Sequence, residues 1–187
     1  MTDTIGTSAL KRDQHFTLDD WRDWPEGERW ELIDGTAWNM CAAPRVPHQR
    51  KTLDLAHCLV TFLDGKPCQP FIAPVDVFLS AADLKDSVVE PDVFVVCDPD
   101  KVADDGIHGA PDFVAEVLSE TTAYKDLGVK KELYERAGVR EYWVIHPGTR
   151  SVQVFVRGGK GFAPAREYLA GNAVPSASLP GFSWTCP

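Results

Sequence analysis

Phe113-Val114-Ala115-Glu116-Val117-Leu118 and, upstream of it, Pro91-Asp92-Val93-Phe94-Val95-Val96 are the stretches that decide the fold. Each is apolar at odd and even positions alike, the pattern of an interior strand covered on both faces. The periodicity predicts strands over Val88 to Val96 and Phe113 to Leu118. Around them, Leu53, Ala56, Leu59, Val60 and Leu63 recur at helical spacing and predict a helix from Pro47 to Leu63, stopped by Gly65. A second helix is expected from Lys125 to Ala137, with Gly138 as its C-terminal stop. Toward the N-terminus, Arg29 to Ile33 and Thr36 to Met40 form a hairpin on Asp34-Gly35, and Thr17 caps a short helix closed by Pro25. Strands at Phe71 to Ala73 and Val75 to Leu79 precede the central pair. Glu141 to His146, Ser151 to Arg157 and Phe162 to Leu169 follow as antiparallel hairpins. The order implies an α/β (mixed α+β) chain with a central mixed β-sheet flanked by helices. Residues 1–15 read as a flexible arm and 16–187 as one domain.

The 187 residues carry a formal charge of −9 with 44% apolar content, the profile of one globular domain. No run is long and apolar enough for a membrane helix, and the first residues lack the apolar stretch of a signal peptide, so a cytoplasmic location is expected. The five cysteines are scattered without a C-x-x-C pair and read as reduced core residues. His57-Cys58 lacks the spaced partners of a zinc site, Gly158-Gly159-Lys160-Gly161 reads as a hairpin turn rather than a phosphate loop, and no G-x-S-x-G elbow is present. An acidic balance speaks against a general nucleic-acid coat, which needs many cations to displace counterions from phosphates. The acidity is local: residues 76–120 hold 12 acids and 2 bases, whereas 121–187 hold 9 bases and 5 acids.

Glu116 and Asp92 interrupt the two most apolar strands. A carboxylate on an interior strand is costly unless a cation or several donors meet it. For one such acid a Lys or Arg partner is sufficient explanation; two on neighbouring strands point to a hard divalent metal, Mg²⁺ or Mn²⁺. On the second helix Lys130 falls within the inward stripe of Leu127, Leu133, Tyr134 and Ala137, with Asp126 and Tyr134 one turn away on either side. An inward lysine close to two carboxylates is a set suited to phosphodiester hydrolysis.

These residues carry a resemblance. Pro91-Asp92, Glu116 and a nearby lysine resemble the PD-(D/E)XK nuclease motif in a variant whose lysine has moved from the strand to the next helix, Lys130 replacing it. Trp30-Glu31-Leu32-Ile33-Asp34-Gly35, Pro47-His48, Glu90-Pro91-Asp92-Val93, Ala110 to Ser119, and Tyr134 with Ala137-Gly138-Val139-Arg140-Glu141-Tyr142-Trp143 are similar to the Uma-type restriction endonuclease family. The likeness covers Phe16 to Phe182 and departs at Ser119-Glu120-Thr121-Thr122, where that family more often has Ser-Pro-Ser-Thr. It implies a restriction-endonuclease-like fold and a Mg²⁺- or Mn²⁺-dependent endonuclease acting on DNA. Asp92, Glu116 and the Val117 carbonyl would hold the metal, with Lys130, Glu31 and His48 as further members of the site. Two rivals remain: an inactive nuclease-fold module binding DNA or a protein, and a metal-dependent hydrolase of another phosphoester. A homodimer would match two scissile phosphates. Binding of DNA without metal should be weak.

Overall fold

The computed structural model describes residues 14–25, 29–40, 45–119 and 123–186. Most of the expected arm, Cys41 and the Glu120-Thr121-Thr122 segment lie outside them. The helices are α1 (Leu18–Arg22), α2 (Val46–Leu63) and α3 (Lys130–Ala137), the last preceded by a π-helical turn over Lys125–Val129. The strands in the first half are β1 (Trp30–Ile33), β2 (Thr36–Asn39), β3 (Gln69–Ile72), β4 (Val77–Leu79), β5 (Ser87–Val89) and β6 (Val93–Val96). They continue as β7 (Val102–Ala103), β8 (Gly106–His108), β9 (Phe113–Val117), β10 (Glu141–His146) and β11 (Ser151–Gly158). The chain ends in β12 (Gly161–Phe162), β13 (Arg166–Leu169), β14 (Ala173–Pro175) and β15 (Ser183–Thr185).

The mixed sheet flanked by helices is present, and it is accompanied by a second sheet. A seven-stranded sheet runs β12-β11-β10-β9-β6-β3 with β13 beside β11, and a six-stranded sheet runs β2-β1-β5-β4-β8-β7. β9 and β10 are parallel; β6 lies antiparallel to β9, with Val93 opposite Ala115. One face of the larger sheet packs Val93, Val95, Ala115 and Trp143 against Leu55, Leu59 and Leu63 of α2 and against Phe182 and Trp184 of the β14-β15 ribbon. The other face packs Phe94, Val114 and Val144 against Leu133 and Tyr134 of α3 and against Ile33, Val77 and Ile107 of the smaller sheet. Covering on both faces is why β6 and β9 read as continuous apolar runs.

Local rules explain the elements and the departures from expectation. Thr17 and Asp20 close a capping box on α1. Asp34 and Gly35 both adopt positive φ, 49° and 76°, as a two-residue hairpin turn requires, and a Cβ on Gly35 would meet the His15 ring. The expected strand Val88 to Val96 is two strands in two sheets, because Pro91 has no N–H to offer a ladder and the chain crosses between sheets at Glu90-Pro91-Asp92. Pro164 likewise divides Phe162 to Leu169 into β12 and β13. On α2 the buried stripe is Thr52, Leu55, Ala56, Leu59 and Leu63, while Leu53 and Val60 are exposed. Leu127 is exposed as well, because the π turn changes the helical phase ahead of Lys130. The cysteine reading needs correction: Cys68 and Cys97 flank the paired strands β3 and β6 and form a disulfide, whereas Cys58 and Cys186 are free. Among the described residues no helix is long and apolar enough to cross a membrane.

Glu141, at the start of β10, anchors the C-terminal ribbon. It is fully buried and accepts from Trp143 Nε1 (2.7 Å), Ser176 Oγ (2.6 Å), Ser178 N (2.8 Å) and Ser178 Oγ (2.7 Å). Glu141→Ala strands these donors and is expected to cost on the order of 3 kcal/mol in urea unfolding, with faster amide exchange concentrated in residues 173–186. Unchanged exchange there would show that the ribbon is held by its apolar packing alone.

Candidate functional site

Register fixes the first two members of the site. With Val93 opposite Ala115 and Phe94 opposite Val114, Asp92 falls beside Glu116 on the sheet face that carries Phe94, Val114 and Val144. Asp92 Oδ2 accepts from the Val117 N–H at 2.8 Å, and Glu116 Oε2 accepts from the Asp92 N–H at 3.1 Å. Glu31, on β1 of the smaller sheet, joins them and is fully buried. Its Oε1 accepts the Glu90 N–H at 3.0 Å. The crossing Glu90-Pro91-Asp92 thus donates one backbone N–H to each buried glutamate, and the residue between them, Pro91, has no N–H to leave unmet.

The cations arrive from the helical side. Lys130, about 2% exposed, places Nζ 2.8 Å from Glu116 Oε1 and 2.6 Å from Glu31 Oε1. Tyr134, one turn on, donates its hydroxyl to the same Glu116 Oε1 at 2.8 Å, so it steadies the carboxylate and not the ammonium. Lys125 ion-pairs with Glu31 Oε2. From the opposite face, His48 in the first turn of α2 sets Nε2 3.0 Å from Asp92 Oδ2. The structure therefore brings Asp92, Glu116, Lys130, Glu31, His48 and Val117 together. The sequence reading omitted Lys125. Its signal was weak because, at 3.6 residues per turn, residues 125 and 130 lie about 140° apart on an α-helix.

Charge states follow from burial and neighbours. Burial pushes the Glu116 carboxyl up to about 8; Lys130 pulls against this, and Asp92, Asp126 and Glu31 add to it. Burial also opposes charge on Glu31, but the ammonium groups of Lys130 and Lys125 outweigh it and hold the carboxyl below its ordinary range. For Lys130 burial is overcome by Glu116, Glu31 and Asp126, which raise it well above an ordinary lysine. His48 is likewise raised, burial being outweighed by Asp92, Asp126 and a backbone bond with Val117.

The donor set is oxygen-only, as a hard cation requires. The Asp92 carboxylate and the Val117 backbone both bond His48, so these groups converge on one point. Asp92 is partly exposed, and its Oδ1 has no protein partner among the described residues. No group of three His, Cys, Asp or Glu side chains among those residues is arranged to close around an ion. Carboxylate and carbonyl oxygens of this kind could offer a hard cation one or two ligands, the rest of its shell being water.

Comparisons with known proteins bear on the family and the fold. The model of the Uma2 family, described as "Putative restriction endonuclease", matches residues 18–187. No protein of curated function is significantly similar. Among solved structures, one described as "a putative nuclease belonging to DUF820" from Anabaena variabilis superposes with a TM-score of 0.75. The match covers 91% of this chain and 95% of that one at 17% identity, so the likeness speaks to the fold.

A carboxyl raised by folding binds its proton preferentially in the native state, so its contribution favours folding less as pH rises from the ordinary 4.5 toward about 8. In urea unfolding series with EDTA present, the wild type should lose stability relative to Glu116→Gln across that interval and level off above it. A pH-independent difference between the two would remove the raised carboxyl from this site.

Proposed function

The chain belongs to the Uma2 family, and on that premise we propose that it is a metal-dependent endonuclease hydrolysing DNA phosphodiesters at the Asp92, Glu116 and Lys130 site. The single observation that carries this reading is a buried lysine ammonium within hydrogen-bond distance of a strand carboxylate that lies beside a second, partly exposed one. Asp92, Glu116 and the Val117 carbonyl would hold Mg²⁺ or Mn²⁺. Bound there, the ion would neutralise phosphate charge and lower the pKa of a coordinated water.

The chain's own residues do the rest. Lys130, kept charged by Glu31 and Glu116, presents a fixed ammonium to the nucleophile or to charge growing on the phosphoryl oxygens. Glu31 holds that ammonium together with Glu116. His48 and the Val117 N–H orient Asp92 through its Oδ2, leaving Oδ1 uncommitted. Tyr134 limits the rotation of Glu116. The acidity of residues 76–120 supports metal-assisted approach of DNA and weak binding without metal, since uncompensated carboxylates repel phosphate.

Purified protein with supercoiled plasmid and Mg²⁺ or Mn²⁺ should nick or cut it. Asp92→Ala and Lys130→Ala, confirmed as folded, should lose at least about 10²-fold in rate. Calorimetric Mn²⁺ binding should disappear in Asp92→Ala and persist in Lys130→Ala. Metal binding without cleavage of any plasmid or RNA in a broad panel would replace the enzyme with a binding module. Cleavage of RNA or a simple phosphodiester but not DNA would reassign the substrate.

A further inference from the structure

The segment that joins β9 to α3 contains a device that the nuclease reading does not use. Over Lys125–Val129 the helix is π-helical, and the Lys130 N–H bonds the Lys125 carbonyl, five residues back. In an α-helix those two side chains would point about 140° apart. The wider π turn returns them to one side, where both meet the same buried carboxylate: Lys125 on Glu31 Oε2, and Lys130 on Glu31 Oε1 at 2.6 Å. Lys125 is itself buried, about 8% exposed. Its ammonium is therefore placed against Glu31 and not out where a substrate would approach. With the Glu90 N–H also on Oε1, both oxygens of Glu31 are engaged, and the carboxylate has little freedom to rotate.

We propose that Lys125 is a positioning residue: by clamping Glu31 through the π turn, it fixes the place of the Lys130 ammonium in the site. Without it, Glu31 can rotate about its last side-chain bond and carry Lys130 away from Glu116 Oε1. The role is specific to this geometry. Lys131, the next residue along, has the same charge but lies 5.4 Å from the centroid of the Phe155 ring, remote from Glu31. Single π turns recur at functional sites because they re-aim one side chain against the helical phase, which is what this one does.

The inference rests on Lys130 being the working lysine of the proposed nuclease, and its test separates the two ideas. In ¹⁵N-labelled protein a lysine ammonium gives an observable signal only when it is sheltered and hydrogen-bonded, so Lys125 and Lys130 should both be visible and assignable. Lys125→Met should abolish the Lys130 signal as well as its own, while Lys131→Met leaves both. In plasmid cleavage Lys125→Met should lower kcat about 10- to 100-fold with KM little changed, the range seen when a supporting partner of a functional group is removed. Should Lys125→Met not fold, Lys125→Gln provides the same reading, since it too removes the second ammonium. Loss of the Lys130 signal in a protein that cuts nothing would uphold the positioning and overturn the nuclease. A Lys130 signal unchanged in Lys125→Met, or a rise in KM at constant kcat, would overturn the positioning role itself.

Discussion

A carboxyl buried without water has to be met by hydrogen-bond donors or by opposite charge, and in this protein that constraint acts at Glu31 and Glu116. Both carboxylates lie within apolar layers, and each is served by Lys130 on one side and by a backbone N–H of the Glu90-Pro91-Asp92 crossing on the other. Removing any partner would leave a buried carboxyl or ammonium unmet in a medium that solvates it poorly, at a cost exceeding that of a surface pair. The two glutamates come from different sheets, so the same interactions also fix how those sheets meet. Packing between Phe94, Ile33 and Val77 adds area, and the polar cluster adds directional contacts between the two sheets.

What the sequence discloses follows from the same physics. Asp92, Glu116 and Lys130 were legible because each violates the apolar pattern of its own element, and a violation on a covered strand or an inward helical stripe needs a partner. Glu31 and His48 violate nothing: an acid on a short hairpin strand and a histidine in a helical first turn are ordinary surface residues. Only the family resemblance singled them out, and their burial depends on a second sheet that periodicity does not announce. Lys125 was illegible for a further reason. Helical phase is computed at a constant 3.6 residues per turn, and one π turn invalidates it locally. The phase error that hid Lys125 also placed Leu127 inward, where the structure has it exposed.

Strands follow the same division. The cores of β6 and β9 were plain from composition, but the two apolar runs Val88-Val89 and Val93 to Val96, read as one strand, hide a change of sheet at Glu90-Pro91-Asp92. Pro91 was visible throughout, and its missing N–H was the available sign that the ladder stops there. The β14-β15 ribbon could not be read, because each strand buries a single side chain, Val174 or Trp184, and three residues are too few for alternation to show. The Cys68–Cys97 disulfide depends on β3 pairing with β6 across 29 residues, a tertiary fact that cysteine spacing does not contain.

The crossing at Glu90-Pro91-Asp92 joins these strands of argument. A chain that leaves one sheet for another must abandon ladder hydrogen bonds for a few residues, and in a buried crossing each abandoned N–H would be costly. Here the Glu90 N–H is met by Glu31 and the Asp92 N–H by Glu116, while Pro91 has none. The carboxylates thus satisfy the backbone of the crossing, and the crossing in turn holds the carboxylates in the place where the lysines reach them. Asp92, the last residue of the crossing, is also the one acid of the three that is partly exposed. The interruption between the sheets is therefore both what the glutamates stabilise and what leaves Asp92 partly exposed. A proline between two acids at a strand start is, on this account, a structural requirement of the site's geometry before it is a motif.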